Sequence, residues 1–131
     1  KDHTYTWYNS TGINDGGSAG TANGGSCVDG TTCDTEKFVT AVNAGGLCGS
    51  TDWRLPSLPE LQSIVNRNSN QPTIDTAYFP NTTFVYWSSS PIAKDSSYAW
   101  DVSFVYGNNI YMHINSRRDN DKYVRLVRGG Q

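Results

Sequence analysis

The stretch YAWDVSF, residues 98–104, alternates without a break: Tyr98, Trp100, Val102 and Phe104 take one set of positions, Ala99, Asp101 and Ser103 the other. Successive side chains of a strand point to opposite faces, so a period of two predicts a strand with one apolar face toward a core. Turn residues follow at 106–109 (YGNN), and a second strand is expected over 109–115 with Ile110, Met112 and Ile114 buried. YVRLVR, residues 123–128, is expected to close the sheet. The positions between the apolar ones, Asn109, Tyr111, His113 and Asn115, share no chemistry, and neither do the residues of SRRDND at 116–121.

Upstream of these strands the periodicity changes. Asp34 is a good N-cap, and Phe38, Val39, Ala41 and Val42 form an apolar stripe that stops at Gly45-Gly46, which predicts a first helix. Ser57-Leu58-Pro59-Glu60 is a capping box with proline in the first turn, and Leu61, Ile64 and Val65 supply a buried side for a second helix. Residues 9–33 are dense in glycine and turn formers and read as a long loop region. Two helices followed by an antiparallel sheet make an α+β domain. At 131 residues the chain supports one core, so a single domain over 1–131 is expected.

Composition narrows the function classes. Ten basic residues against twelve acidic ones leave a net charge of −2, so no global field favours nucleic acid or an anionic membrane. Hydrophobic residues make up only 36%, while 8 Tyr and 4 Trp stand against 4 Phe. Tyr with Ser and Asn is the vocabulary of binding surfaces. No apolar run reaches membrane-spanning length, so membrane insertion by this chain is not expected, and there is no signal-peptide pattern. The strand-like pattern already under way at the first residues reads as a mature or partial product, with an export signal or anchor upstream.

Cys27 and Cys33 bracket a short glycine-containing loop that a disulfide can close, a staple suited to an exported, loop-rich domain. Cys48 is then left as a thiol, expected to be buried rather than reactive. Zinc is the rival reading, but no CxxC is present and His3 and His113 lie far off in sequence. Calcium is a further rival for the Asn/Asp/Gly-rich residues 14–30, which match no EF-hand register and are equally explained as turns. No metal or other cofactor is expected. Enzymatic constellations are poor: the two histidines lack motif context, and Ser88, Ser89 and Ser90 sit in no nucleophile elbow. Small hydroxyls in a tight turn, bonding the backbone, account for them. Arg117, Arg118, Lys122, Arg125 and Arg128 form a locally basic run that can hold a sulfated or phosphorylated polymer if one face gathers them; Asp119 and Asp121 can instead neutralise it.

DWRLPSLPELQSIVN (52–66), IDTAYFPNT (74–82), YWSSSP (86–91), AWDVSF (99–104) and YVRLVRGGQ (123–131) together resemble a bacterial family of C-terminal domains on exported proteins, known as DUF1566. Its members include the glycosaminoglycan-binding domain of a Legionella collagen-like adhesin. The resemblance runs from Tyr5 to Gln131. The RLPS-x-x-E element is also similar to that of formylglycine-generating enzymes, which implies a C-type-lectin-like fold. The catalytic thiols of those enzymes have no counterpart here, so no enzymatic activity is implied.

Some members of the family are targets of diversity-generating retroelements, in which adenines of a template repeat mutate as the copy overwrites the end of the target gene. Asn codons then yield most amino acids but never Lys, Glu, Gln, Met or Trp. Residues 105–121 contain no Lys, Glu, Gln or Trp, and Met112 falls at a position expected to face the core. The resemblance thus implies a non-enzymatic binding domain with a diversified surface on the solvent side of the late strands. Its expected contact residues are Asp101, Ser103, Tyr106, Asn109, Tyr111, His113, Asn115, Arg117, Arg118 and Asp119. The expected ligand is a protein or glycan at a cell surface, and the expected location is extracellular or cell-surface. The alternative is a fixed-specificity adhesin for glycosaminoglycan-like polysaccharide, dependent on Arg117, Arg118 and Lys122.

Overall fold

The structure, a computed structural model, describes residues 3–28, 30–65, 74–75, 77–79, 85–104 and 113–128, with the backbone alone described at 113–116. In chain order the elements are β1 (Tyr5–Thr6), α1 (Thr35–Ala44), β2 (Trp53–Arg54), α2 (Leu58–Ser63), β3 (Val85–Pro91), β4 (Tyr98–Ser103), β5 (His113–Arg117), β6 (Asp121–Lys122) and β7 (Val127–Arg128). A short 3-10 turn, Leu47–Gly49, follows α1. Among the described residues this is the mixed α+β arrangement expected: two helices, small antiparallel sheets, long loops and one disulfide.

Both helices start where side-chain chemistry stops the first amides from going unpaired. Asp34 is extended and its Oδ1 accepts from Lys37 N at 2.7 Å. At α2 the capping box is complete: Ser57 Oγ accepts from Glu60 N at 3.3 Å and Glu60 Oε1 accepts from Ser57 N at 2.8 Å. α1 ends at Gly45, and Gly46 turns the chain away with a left-handed φ of 63°. Cys27 and Cys33 are bridged, with their Cα atoms 5.4 Å apart. Asn23 Oδ1 accepts from Cys33 N at 2.9 Å, and Asn23 N donates to Asp34 Oδ2 at 2.9 Å, so the stapled loop is fastened to the cap of α1.

β3, β4 and β5 form an antiparallel sheet in that order, with Tyr86 opposite Val102 and Trp87 opposite Asp101. One face of this sheet carries the cluster Leu61, Ile74, Tyr86, Val102 and Phe104, covered by α2. Burying a leucine such as Leu61 contributes about 2 kcal/mol. The other face carries Trp7, Trp87 and Ala99. The two indoles tie the N-terminal segment to β3 reciprocally: Trp87 Nε1 donates to Tyr5 O at 2.7 Å and Trp7 Nε1 to Ser88 O at 2.9 Å. Gly25 lets this region close, since a Cβ there would lie 2.1 Å from Thr4 O.

Four expectations are corrected by this packing. β4 is the middle strand and both of its faces are covered, so Ala99, Asp101 and Ser103 are as buried as Val102. The expected solvent side of β4 is occupied by the aromatic cluster around Trp7. The segment 121–128 does not extend the main sheet as one strand. Asp121–Lys122 pairs with β1, Tyr123 bridges Tyr86, and Val127–Arg128 pairs with β2. Ser88 and Ser90 lie on β3, not in a turn, although their hydroxyls do bond the backbone: Ser88 Oγ to Trp100 O at 2.7 Å, and Ser90 Oγ from Leu58 N at 3.0 Å. Cys48 is exposed, because it sits at φ 55° in the 3-10 turn outside the packed faces.

Candidate functional site

Where the end of β5 meets two loops, the structure opens a polar recess of about 160 Å³. Ser18, Gly20 and Thr21 line it from the first loop, Ser96 and Ser97 from the β3–β4 turn, and Arg117, Arg118 and Asp119 from the end of β5 and the turn after it. Two aspartates shape its walls. Asp15 Oδ1 accepts from Gly17 N at 2.9 Å, and Asp95 Oδ1 accepts from Ser97 N at 2.9 Å, each closing a tight turn onto its own backbone. Asp119 and Arg117 stand on the rim as a forked pair, Nε to Oδ1 at 3.2 Å and Nη2 to Oδ2 at 3.1 Å, with side chains 48% and 57% exposed. The hydrogen bonds from Arg117 hold the Asp119 carboxyl below its ordinary pKa, and those to Asp119 raise that of Arg117.

Arg118 behaves differently from its neighbour. It is 2% exposed, its guanidinium lies 4.2 Å over the Trp7 ring, Nε donates to Tyr98 O at 2.9 Å, and Nη1 donates to Ser18 O. Its backbone is held as well, N to Ser97 O at 2.8 Å and O from Trp7 N at 3.1 Å. Burial pushes its pKa down, and the charges of Asp15 and Asp95 pull it back.

The ten residues expected on one surface therefore separate. Arg117 and Asp119 are exposed and together. Arg118 lies beneath them, and Asp101 and Ser103 are inside the sheet packing, which corrects the expectation that these three face solvent. His113 and Asn115 lie on β5, opposite Val102 and Trp100. Tyr106, Asn109 and Tyr111 lie outside the described residues. Ser18, Gly20 and Thr21, which complete the recess, carried no signal in the sequence because they sit about one hundred positions from their partners. A second cleft of about 330 Å³, between α1 and the segments at 7–11 and 54–55, is walled by Tyr8, Val39 and Leu55, with Glu36 bound to Ser10 at its edge.

The model of the Lcl C-terminal domain family matches residues 1–128. The chain belongs to this family. No curated protein and no solved structure matches it. The Lcl C-terminal domain is adhesin-associated, and in this Lcl C-terminal domain four arginines of the basic run near the C-terminus are engaged within the chain. Arg117 pairs with Asp119, Arg118 is buried, Arg125 lies over the rings of Phe79 and Tyr86, and Arg128 reaches Asp52 at 3.5 Å. Among the described residues no group of three or more His, Cys, Asp or Glu could hold a metal ion, and no helix is long and apolar enough to cross a membrane.

Proposed function

We propose that this Lcl C-terminal domain is a non-enzymatic binding module of a cell-surface protein, and that the rim of the recess carries its ligand contacts. The observation that carries this reading is the exposed Arg117–Asp119 pair beside a hydroxyl-lined hollow, mounted on a frame pinned by two buried tryptophans. A rigid scaffold presenting exchangeable polar groups is the arrangement that binding loops require. The frame is read as C-type-lectin-like on the resemblance of its RLPS-x-x-E element. The ligand is a protein or glycan of another surface.

The finer reading is that residues around the late strands are diversified by a retroelement. It is supported by the absence of Lys, Glu, Gln and Trp from 105–121, and by the exposure of Arg117 and Asp119 within that span. The test is to sequence the DNA beside the gene. A near-copy of the segment encoding 88–131, differing at adenines and lying next to a reverse-transcriptase gene, is the expected result. Its absence leaves a surface of fixed specificity. The second reading is a fixed adhesin for glycosaminoglycan-like polysaccharide, and it rests on the resemblance to an adhesin domain of that kind. That reading expects binding to a heparin-like polymer that collapses with salt and is lost in R117S. The diversified surface expects no such preference.

A further inference from the structure

The two walls of the recess come from segments far apart in the chain, 15–21 and 95–98, and the side chain of Arg118 touches both. Each wall is a turn closed by its own aspartate, Asp15 or Asp95, and each offers the guanidinium one carbonyl, from Ser18 and from Tyr98. Stacking on Trp7 fixes the plane of the fork from which these bonds leave. Gly16 is the close neighbour on the first wall: a Cβ there would lie 2.9 Å from Arg118 Nη2. Arg117 and Asp119, by contrast, bond each other on the rim, and Arg117 meets only the second wall, beside the Tyr98 side chain.

We infer that Arg118 is a positioning residue, which sets the separation of the two walls and lets the rim residues on either side change without moving those walls. This rests on the reading of the recess as the binding surface. It divides the SRRDND segment by role: within a turn whose rim positions are open to exchange, one position is held to arginine. Lysine does not substitute, because a single ammonium on a flexible stem does not bond two carbonyls in one plane while stacking on an indole.

The test is amide hydrogen exchange on the whole chain, comparing wild type with R118Q, R118K and the rim double variant R117S/D119S. In both Arg118 variants, exchange at Gly17, Ser18, Ser97 and Tyr98 is expected to rise at least about tenfold, while Tyr86, Trp87 and Val102 stay within about twofold. The rim variant is expected to match wild type at all of these amides. The inference is overturned if R118K restores wild-type protection, if the wall amides do not respond, or if the acceleration is uniform through β3 and β4. Failure of both Arg118 variants to fold also overturns it, since Arg118 would then support the whole fold and not the walls. A display screen of the same variants against surface proteins and glycans separates the two readings. If the rim variant loses no binding while the wall amides respond to Arg118, only the binding role of the recess falls.

Discussion

Glu60 offers a quantitative test of how α2 is anchored. Its carboxylate accepts from Ser57 N at 2.8 Å and from both arms of Arg54, at 2.7 Å and 2.8 Å. The bonds from Arg54 first, and that from Ser57 second, lower its pKa to about 2. An unperturbed glutamate titrates near 4.3, so the shift is a little over two units, nominally about 3 kcal/mol at about 1.4 kcal/mol per unit. Both side chains are more than a third exposed, at 37% and 38%, and exposed pairs deliver far less than their nominal value. After that screening, about 1 kcal/mol is expected. Because the folded pKa lies below the unfolded one, the contribution is complete above about pH 4.3 and fades as the pH falls toward about 2. Glu60→Gln keeps an acceptor for the Ser57 amide but removes the charge and turns an NH2 toward Arg54. Urea unfolding of wild type and E60Q should differ by about 1 kcal/mol near neutral pH, and the two should converge as the pH falls through about 4 to 2. A difference that stays constant over that range would refute the assignment of this contribution to the ionised carboxylate.

The other expectations concern the cysteines and the cap of α1. Removing the disulfide in the C27S/C33S double variant frees a short closed loop, and about 2 kcal/mol should be lost in urea unfolding; C48S should leave the midpoint unchanged, and a thiol reagent should label the folded wild type at Cys48 alone. Asp34→Ala removes the cap of α1 and leaves the amides of Lys37 and Asn23 without their carboxylate, so a loss of about 2–3 kcal/mol is expected, with faster amide exchange at those two residues.

The local devices of this fold were legible because their parts lie within a few positions of one another. Asp34 before an apolar stripe, Ser57 three residues from Glu60, and two cysteines around a glycine loop each state a geometry that stereochemistry and hydrogen bonding complete without distant help. Alternation at 98–104 likewise identified a strand, since it depends only on the pleat. What alternation cannot state is which face will be covered. Asp101 and Ser103 looked like solvent positions because they are polar, yet Trp7, about ninety-five residues earlier, helps build the layer on their side. Exposure of Cys48 escaped for a related reason: cysteine's preference for interiors says nothing about a turn held outside the core.

By itself, then, the sequence determined the caps, the staple, the central strand and the α+β class, all consequences of short-range chemistry. Tertiary structure alone decided that two adjacent arginines have opposite fates. Arg117 and Arg118 are chemically identical and differ by one position. The backbone sends one to the rim beside Asp119 and the other onto the face of Trp7, where carbonyls of two loops hold it. Burial is a property of what covers a residue, and the groups around Arg118 come from Tyr98, about twenty positions earlier, and from Ser18 and Trp7, about one hundred to one hundred and ten positions earlier.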